Sequence, residues 1–243
     1  QAVSAVLVMG KLLMTREIYR VRLGEICFDR KMIRRIVDIG LPAAIQQSIT
    51  SFSNVIVQSY INYFGTAAMA GYSATLRVDG FLQLPLQSFN MTITTFVGQN
   101  IGAKEYKRVK KGIFTSWLMC SGIILVGSVI MFLKAPSIIG IFTEDAAVIS
   151  VGSSMIRIFG SAYLFLPIIQ ILNGALRGAG RSKVPMYFML GCFVLLRQIY
   201  LMIAVPMTKN VSVVFAGWPV TWVVCAIGML VYYFKVDWLP KEE

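Results

Sequence analysis

The chain of 243 residues is 57% hydrophobic and only 14% charged, and its formal net charge is +12. Soluble domains average about 45–50% apolar and about 25% charged residues, so these values exclude an ordinary soluble domain and a disordered chain. The sequence has no histidine, and its four cysteines lack the spacing of zinc ligands or of a disulfide framework. We therefore expect a membrane protein that has no metal or other cofactor and is not an enzyme.

Six apolar segments follow one another along the chain, each close to the roughly 20 residues that a membrane-spanning helix needs. A shorter apolar stretch, residues 1–13, precedes them, and we interpret it as the end of an earlier helix in a longer protein. Gly65 separates the first two spans, and Pro42 suits the first turn of a helix. The predicted spans are residues 41–64, 67–97, 112–133, 158–176, 184–208 and 210–234.

Positive charges are distributed unevenly between the loops that join these spans. Eighteen of the 23 lysines and arginines fall on one side of the predicted membrane, which is the cytoplasmic side by the positive-inside rule. The sequence therefore predicts an all-α, multi-pass protein of the cell membrane, with both ends of this chain in the cytoplasm. The same asymmetry explains the net charge, so nucleic acid is not an expected partner.

The order of these segments predicts four regions along the chain. Residues 1–13 end a preceding helix, and residues 14–39 form a charged cytoplasmic linker suited to an amphipathic helix on anionic lipid. Residues 40–236 form a six-helix lobe, and residues 237–243 form a cytoplasmic tail. A six-helix unit with both ends on one side can be repeated in tandem. We therefore expect this lobe to pair with an amino-terminal six-helix lobe of the same polypeptide.

Polar side chains recur at helical spacing within the first two spans, where each one is costly in lipid. Such residues line a wet cavity or form hydrogen bonds between helices, which contribute about 0.6–2 kcal/mol each. A single amide favours the hydrogen bond, whereas two stripes together favour the cavity. The candidate cavity residues are Gln47, Thr50, Asn54 and Gln58 in the first span, Gln83, Gln87 and Asn90 in the second, and Arg197 in the fifth.

Three charged residues fall within these predicted spans. Arg77 and Asp79 belong to the second span if its helix starts near Ala67, or to a loop if the helix starts at Gly80. Arg197 lies in the middle of the fifth span, too deep for its side chain to reach the interface. It either compensates charge in a cavity or forms a structural pair with Asp79, and both alternatives stay open at this point.

Proline and aromatic residues add two further expectations. Pro167 interrupts the fourth span, where it marks either a hinge or a static bend, because proline removes a backbone hydrogen bond. Phe52, Tyr60 and Phe89 are candidates to hold a flat organic cation by cation–π contact.

Three segments resemble the motifs of a known family, the multidrug and toxic compound extrusion (MATE) transporters. Residues 40–47, GLPAAIQQ, resemble the start of the family's seventh helix, and residues 96–103, FVGQNIGA, resemble the end of its eighth. Residues 173–185, NGALRGAGRSKVP, resemble the end of its tenth helix and are the most specific of the three. The resemblance implies the carboxy-terminal half of a twelve-helix antiporter that exports organic cations, drugs or toxins, driven by sodium ions or protons. It also places Arg77 and Asp79 within the eighth helix.

The sequence departs from this family at two positions. One branch has a glutamate in the seventh helix and an aspartate in the tenth, where this chain has Thr50 and Leu166. The resemblance therefore implies that the coupling ion, sodium or a proton, binds in the amino-terminal half. The lipid bilayer and small organic cations are the other implied partners. A lipid-linked saccharide flippase of the same superfamily and a non-transporting membrane scaffold are the alternatives.

Overall fold

The computed structural model describes residues 2–15, 20–21, 28–208 and 210–239, without the side chains of residues 35 and 39. Within these ranges all regular structure is helical, which confirms the predicted all-α class. The chain divides into two compact units, Gln1–Val37 and Asp38–Glu243. The first contains helix α1, Ala2–Met14, an apolar helix with no buried residue. Residues 16–19 and 22–27 of the predicted linker lie outside the described residues.

Helices α2, Arg30–Asn62, and α3, Thr66–Gly102, contain the first two predicted spans. Asp29 caps α2 by accepting the Lys31 N–H at 2.8 Å, so the helix begins earlier than predicted and Pro42 lies inside it. Gly65 joins the two helices with a φ of 91°, a left-handed conformation that glycine adopts without strain. Helix α3 is continuous, so the alternative start at Gly80 is wrong.

Four later segments complete the lobe. Helix α4 is Tyr106–Gly140 and kinks at Lys134, two residues before Pro136. Helices α5, Ala146–Gly160, and α6, Phe165–Gly178, follow it. The next segment is α7, Lys183–Leu190, then a π-helical turn, Gly191–Leu196, then α8, Arg197–Thr208. Helix α9, Val211–Lys235, ends the described lobe.

The fourth predicted span differs most from the structure. It is a broken pair, because α5 and α6 are bent by 60° around a non-helical turn. Pro167 lies in the first turn of α6, where no intrahelical hydrogen bond is lost, so the break precedes it. The hypothesis that Pro167 itself interrupts this span is therefore wrong.

Length and hydropathy identify three spans in the described residues, or four if the bent pair is counted as one. Helices α4, α9 and the segment Lys183–Thr208 are long and apolar enough to cross a membrane, and α5 with α6 adds one span if the bent pair counts as one. Helices α2 and α3 are long enough but fall outside this set, because they carry the polar stripes.

The core of the lobe lies where α3 packs against α4, α5 and α6, and where α9 packs against α5, α6 and α8. Two glycines of α6 allow the closest approach. A Cβ at Gly174 would lie 2.5 Å from the Asn90 backbone oxygen, and one at Gly178 would overlap the Thr94 backbone oxygen. Small residues at this spacing let two membrane helices touch through their backbones. The third sequence motif therefore contributes the contact surface between α6 and α3.

Candidate functional site

A cavity of about 570 Å³ opens between α2, α3, α9, the α5–α6 pair and the segment that contains the π-helical turn. This volume lies within the range of small-molecule sites. Polar side chains and aromatic rings face the same space, and α3 contributes both kinds.

Helix α2 contributes amide and hydroxyl groups to one wall. Thr50, Asn54 and Gln58, three of its four predicted residues, line the cavity, whereas Gln47 is exposed outside it. The Thr50 hydroxyl donates to the Gln46 backbone oxygen at 2.7 Å, and Gln58 Nε2 donates to Asn62 Oδ1 at 2.9 Å. Asn54 alone of these three makes a side-chain hydrogen bond to another helix.

The carboxylate of the cavity belongs to Asp79 on α3, which is 9% exposed. The Tyr163 hydroxyl donates to Asp79 Oδ1 at 2.6 Å, and Gln83 Nε2 donates to Oδ2 at 3.1 Å. Tyr163 is itself fully buried in the turn that links α5 to α6. The turn between α5 and α6, which the sequence predicts to be helical, therefore positions the Tyr163 hydroxyl beside the Asp79 carboxylate.

The cation of the cavity is Arg197, which is 3% exposed at the start of α8. Its Nη1 donates to Asn54 Oδ1 at 3.0 Å, and its Nε is buried with no hydrogen-bond partner. The guanidinium carbon lies 5.3 Å from the Phe193 ring centroid and 5.1 Å from that of Trp218, within cation–π range. Among the described residues no carboxylate pairs with it, so the structure does not contain an Arg197–Asp79 ion pair.

The π-helical turn immediately before Arg197 is tied to α2 by one serine. Ser53 donates its hydroxyl to the Phe193 backbone oxygen at 3.1 Å and accepts from Gln198 Nε2 at 2.8 Å. Such turns are rare and occur frequently at functional sites. Here the turn supplies the carbonyl that Ser53 binds and one of the two rings that enclose Arg197.

Aromatic rings also line the cavity, and the sequence interpretation missed them. Tyr72, Phe159, Trp218 and Trp222 line the cavity, and the ring of Trp222 stacks on that of Tyr163 at 5.6 Å. The predicted set of Phe52, Tyr60 and Phe89 does not line this cavity. A signal was present, because tryptophan is enriched at membrane interfaces and two of them four residues apart in mid-span are unusual.

The remaining predicted residues have different positions. Gln83 lines the cavity, whereas Gln87 is exposed outside it. Asn90 on α3 donates to the backbone oxygen of Gln170 on α6 at 2.7 Å. It therefore forms a hydrogen bond between helices, which was the alternative to its predicted role in the cavity. Arg77 is exposed and does not line the cavity, although it lies two residues from Asp79 on α3. The predicted stripes are therefore divided between the cavity, a helix–helix contact and exposed surface.

The fold and this site define a lobe of a multi-pass α-helical membrane protein, with a mixed-polarity, aromatic-walled cavity between its helices. The chain belongs to the MatE family, whose family model matches residues 42–203. This match confirms the family that the three sequence motifs indicated.

Two curated relatives show what the chain is similar to. It is 24% identical over 161 residues to the probable multidrug resistance protein YoeA of Bacillus subtilis, a match that covers 65% of this chain and 34% of that protein. It is 28% identical over 171 residues to the probable multidrug resistance protein NorM of Thermotoga maritima, covering 70% of this chain and 37% of that protein. The chain thus matches about a third of the length of these relatives.

Solved structures agree on the fold. A crystal structure of MATE in the straight conformation superposes with a TM-score of 0.87 at 17% identity, covering 95% of this chain and 52% of that one. An outward-facing multidrug resistance MATE family transporter of the MOP superfamily superposes with a TM-score of 0.86 at 18% identity, with the same coverage. The chain therefore has the fold of about half of a MATE transporter.

Proposed function

We propose that this chain forms one half of a cation-coupled antiporter that exports organic cations, drugs or toxins by alternating access. The observation that carries the proposal is the cavity itself, in which a carboxylate, amides and five aromatic rings face one space. The curated relatives YoeA and NorM are named as probable multidrug resistance proteins. A transport role accounts for such a cavity within a membrane lobe better than a catalytic or a purely structural role does.

The cavity residues suit an amphipathic cation. The Asp79 carboxylate supplies a negative charge, and the rings of Tyr72, Trp218 and Trp222 supply flat apolar surface and cation–π contact. The Arg197 guanidinium is enclosed by the rings of Phe193 and Trp218 and by the Asn54 amide. These contacts separate part of its positive charge from a cation bound in the cavity. A lipid-linked saccharide flippase would need several cations for its pyrophosphate, and Arg197 is the only lysine or arginine on this cavity among the described residues.

The other half of the transporter belongs to the same proposal. An amino-terminal six-helix lobe of the same polypeptide would close the cavity, and rocking of the two lobes would expose it to each side in turn. The coupling sodium ion or proton would bind in that lobe, and both ends of the present chain would face the cytoplasm of a cell-membrane protein. The polar cavity and the length of the solved MATE structures, of which this chain covers about half, support this proposal.

Two substitutions on α2 test the proposal in the native polypeptide that contains this sequence. Asn54→Leu removes the amide that binds Arg197 and places an apolar side chain on the cavity wall, so we expect drug export to fall. Gln47→Leu is the matched control, because Gln47 is an exposed amide of the same helix outside the cavity. Export is measured as drug resistance and dye efflux at equal membrane expression. Unchanged export in the Asn54 variant would refute the role of this cavity.

A further inference from the structure

A second cavity lies apart from the candidate site, between α3 and the first turns of α4. This space, the basic groove, has a volume of about 320 Å³. Its lining residues are Thr92 and Phe96 on α3 and Arg108, Lys111, Thr115 and Ser116 on α4, with Gly112 between them. None of these residues lines the transport cavity or belongs to the proposed mechanism.

The basic groove follows one face of α4. Arg108, Lys111, Thr115 and Ser116 are spaced by three, four and one residues, which places them along one stripe of a helix. At 1.5 Å per residue the stripe is about 12 Å long. Two cations occupy the end nearest the loop and two hydroxyls occupy the end inside the span. Charge and polarity therefore fall in steps from the membrane surface toward its interior.

Phe96 forms the floor of the basic groove, and Gly112 makes room for it. A Cβ at Gly112 would overlap the Phe96 ring, so the ring can lie there only beside a residue without a side chain. The Arg108 guanidinium carbon lies 6.0 Å from the centroid of this ring, at the outer limit of cation–π contact. The ring thus supports the guanidinium at the edge of the groove.

The polar groups of the basic groove have spare binding capacity. Neither Arg108 nor Lys111 is paired with a carboxylate in the part of the chain that the structure describes. The predicted loop that contains them, residues 104–111, has five cations and one acid, Glu105. The hydroxyls of Thr115 and Ser116 likewise make no hydrogen bond to any described group, unlike Thr92, which donates to the Ser88 backbone oxygen at 2.8 Å. Two cations and two hydroxyls are the groups that bind a phosphate diester and its neighbouring ester oxygens.

We propose that the basic groove binds the headgroup of an anionic phospholipid, with the phosphate between Arg108 and Lys111. The same face of α4 continues into the span with Met119 and Ile123, which are 58% and 49% exposed and would contact the acyl chains. This apolar continuation favours a lipid over free phosphate. Basic pockets between helices at the cytoplasmic side of membrane proteins suit anionic lipid, and this loop is on the predicted cytoplasmic side.

The test measures lipid binding to the native polypeptide by native mass spectrometry in detergent at about 0.15 M salt, where distant exposed charges are screened. The probes are phosphatidylglycerol, phosphatidylcholine and inorganic phosphate. The double variant Arg108→Gln/Lys111→Gln is compared with Lys107→Gln/Lys110→Gln, which removes the same charge from the same loop outside the groove. We expect phosphatidylglycerol to bind about 30-fold more weakly to the first variant, at roughly fivefold per cation, and within about threefold of normal to the second.

A further variant keeps the test decisive if the charge variant cannot be purified. Thr115→Ala/Ser116→Ala retains both cations, and we expect it to weaken phosphatidylglycerol binding several-fold. Equal weakening by the two charge variants would show a diffuse effect of loop charge and would overturn the proposal. Equal binding of phosphatidylcholine and phosphatidylglycerol would also overturn it. That result is expected if another part of the polypeptide covers the groove, because the two cations would then not contact lipid. Competition by inorganic phosphate at the affinity of the lipid would assign the groove to free phosphate instead.

Discussion

The contact between α6 and α3 depends on Gly174, and Gly174→Ala tests it. A Cβ at this position would lie 2.5 Å from both the Asn90 backbone oxygen and Ile93 Cγ2, whereas ordinary van der Waals contact begins near 3.4 Å. The oxygen belongs to the α3 backbone and cannot rotate away as a side chain can. The two helices must therefore separate by about 1 Å, which opens the interface along its length.

The expected magnitude combines two opposing effects. Overpacking of a well-packed interface lowers the free energy of unfolding by about 1–3 kcal/mol. Replacement of a helical glycine by alanine raises it by about 1 kcal/mol, because alanine has the higher helix propensity. Gly122→Ala in α4 provides the matched control, because nothing lies within 4 Å of a Cβ built there. The propensity gain is common to both variants, so their difference in unfolding free energy isolates the overpacking cost of about 1–3 kcal/mol.

Thermal unfolding of the purified native protein in one detergent measures this difference. At about 2–4 °C per kcal/mol, a scale derived from domains of similar size, Gly174→Ala should melt several degrees below Gly122→Ala. Equal melting temperatures would refute the close backbone contact between α6 and α3. A lower melting temperature for Gly122→Ala alone would contradict the open surroundings of that residue.

Two further substitutions test the hydrogen bonds of the site. Tyr163→Phe removes the hydroxyl that donates to Asp79 at 2.6 Å, and a hydrogen bond to a charged group contributes about 1.5–3 kcal/mol. Because this bond holds the carboxylate in place, we expect the variant to bind a fluorescent organic cation more weakly. Unchanged cation affinity at equal folding would contradict this role, and Tyr200→Phe, away from the cavity, is the control. Ser53→Ala removes the hydroxyl that bonds the Phe193 backbone oxygen and Gln198 Nε2, although Gln198 keeps its bond to the Ser53 backbone oxygen at 3.3 Å. We expect the unfolding free energy, measured by thermal melting, to fall by about 1 kcal/mol. Ser59→Ala, whose hydroxyl bonds only within its own helix, should change stability little, and equal effects of the two serine variants would refute the tie.

The spans were predictable from the sequence because apolar length is a local property of the chain. Hydropathy identifies α4 and α9 without further information. It could not show the 60° bend between α5 and α6, because residues 161–164 between them carry no charge and no proline. Nor could it show the π-helical turn, which differs from an α-helix only in its hydrogen bonds.

The site was predictable in part, for reasons of geometry. Helical spacing predicts that Gln47 and Asn54 lie on one face of α2, and residues seven apart do point in nearly the same direction around a helix axis. Gln47 nevertheless misses the cavity, because seven residues separate the two along the axis by about 10 Å and the cavity ends between them. Spacing along one helix cannot show where neighbouring helices close a space. The same limit applies to Trp218 and Trp222, because their unusual place in mid-span is visible in the sequence but only the position of α9 beside α5 shows that they line a cavity.

The enclosed guanidinium of Arg197 has an electrical consequence for a protein in an energised membrane. Moving one elementary charge across 100 mV changes the free energy by about 2.3 kcal/mol. The cavity holds one fixed cation and one carboxylate, so with Asp79 ionised its two charges cancel. If this lobe rocks as proposed, its own cavity charges would displace little net charge, and the voltage dependence of the step without substrate would come from the coupling ion in the other lobe. A bound organic cation would add one positive charge to this lobe, so the membrane potential would act on the lobe itself in its loaded state.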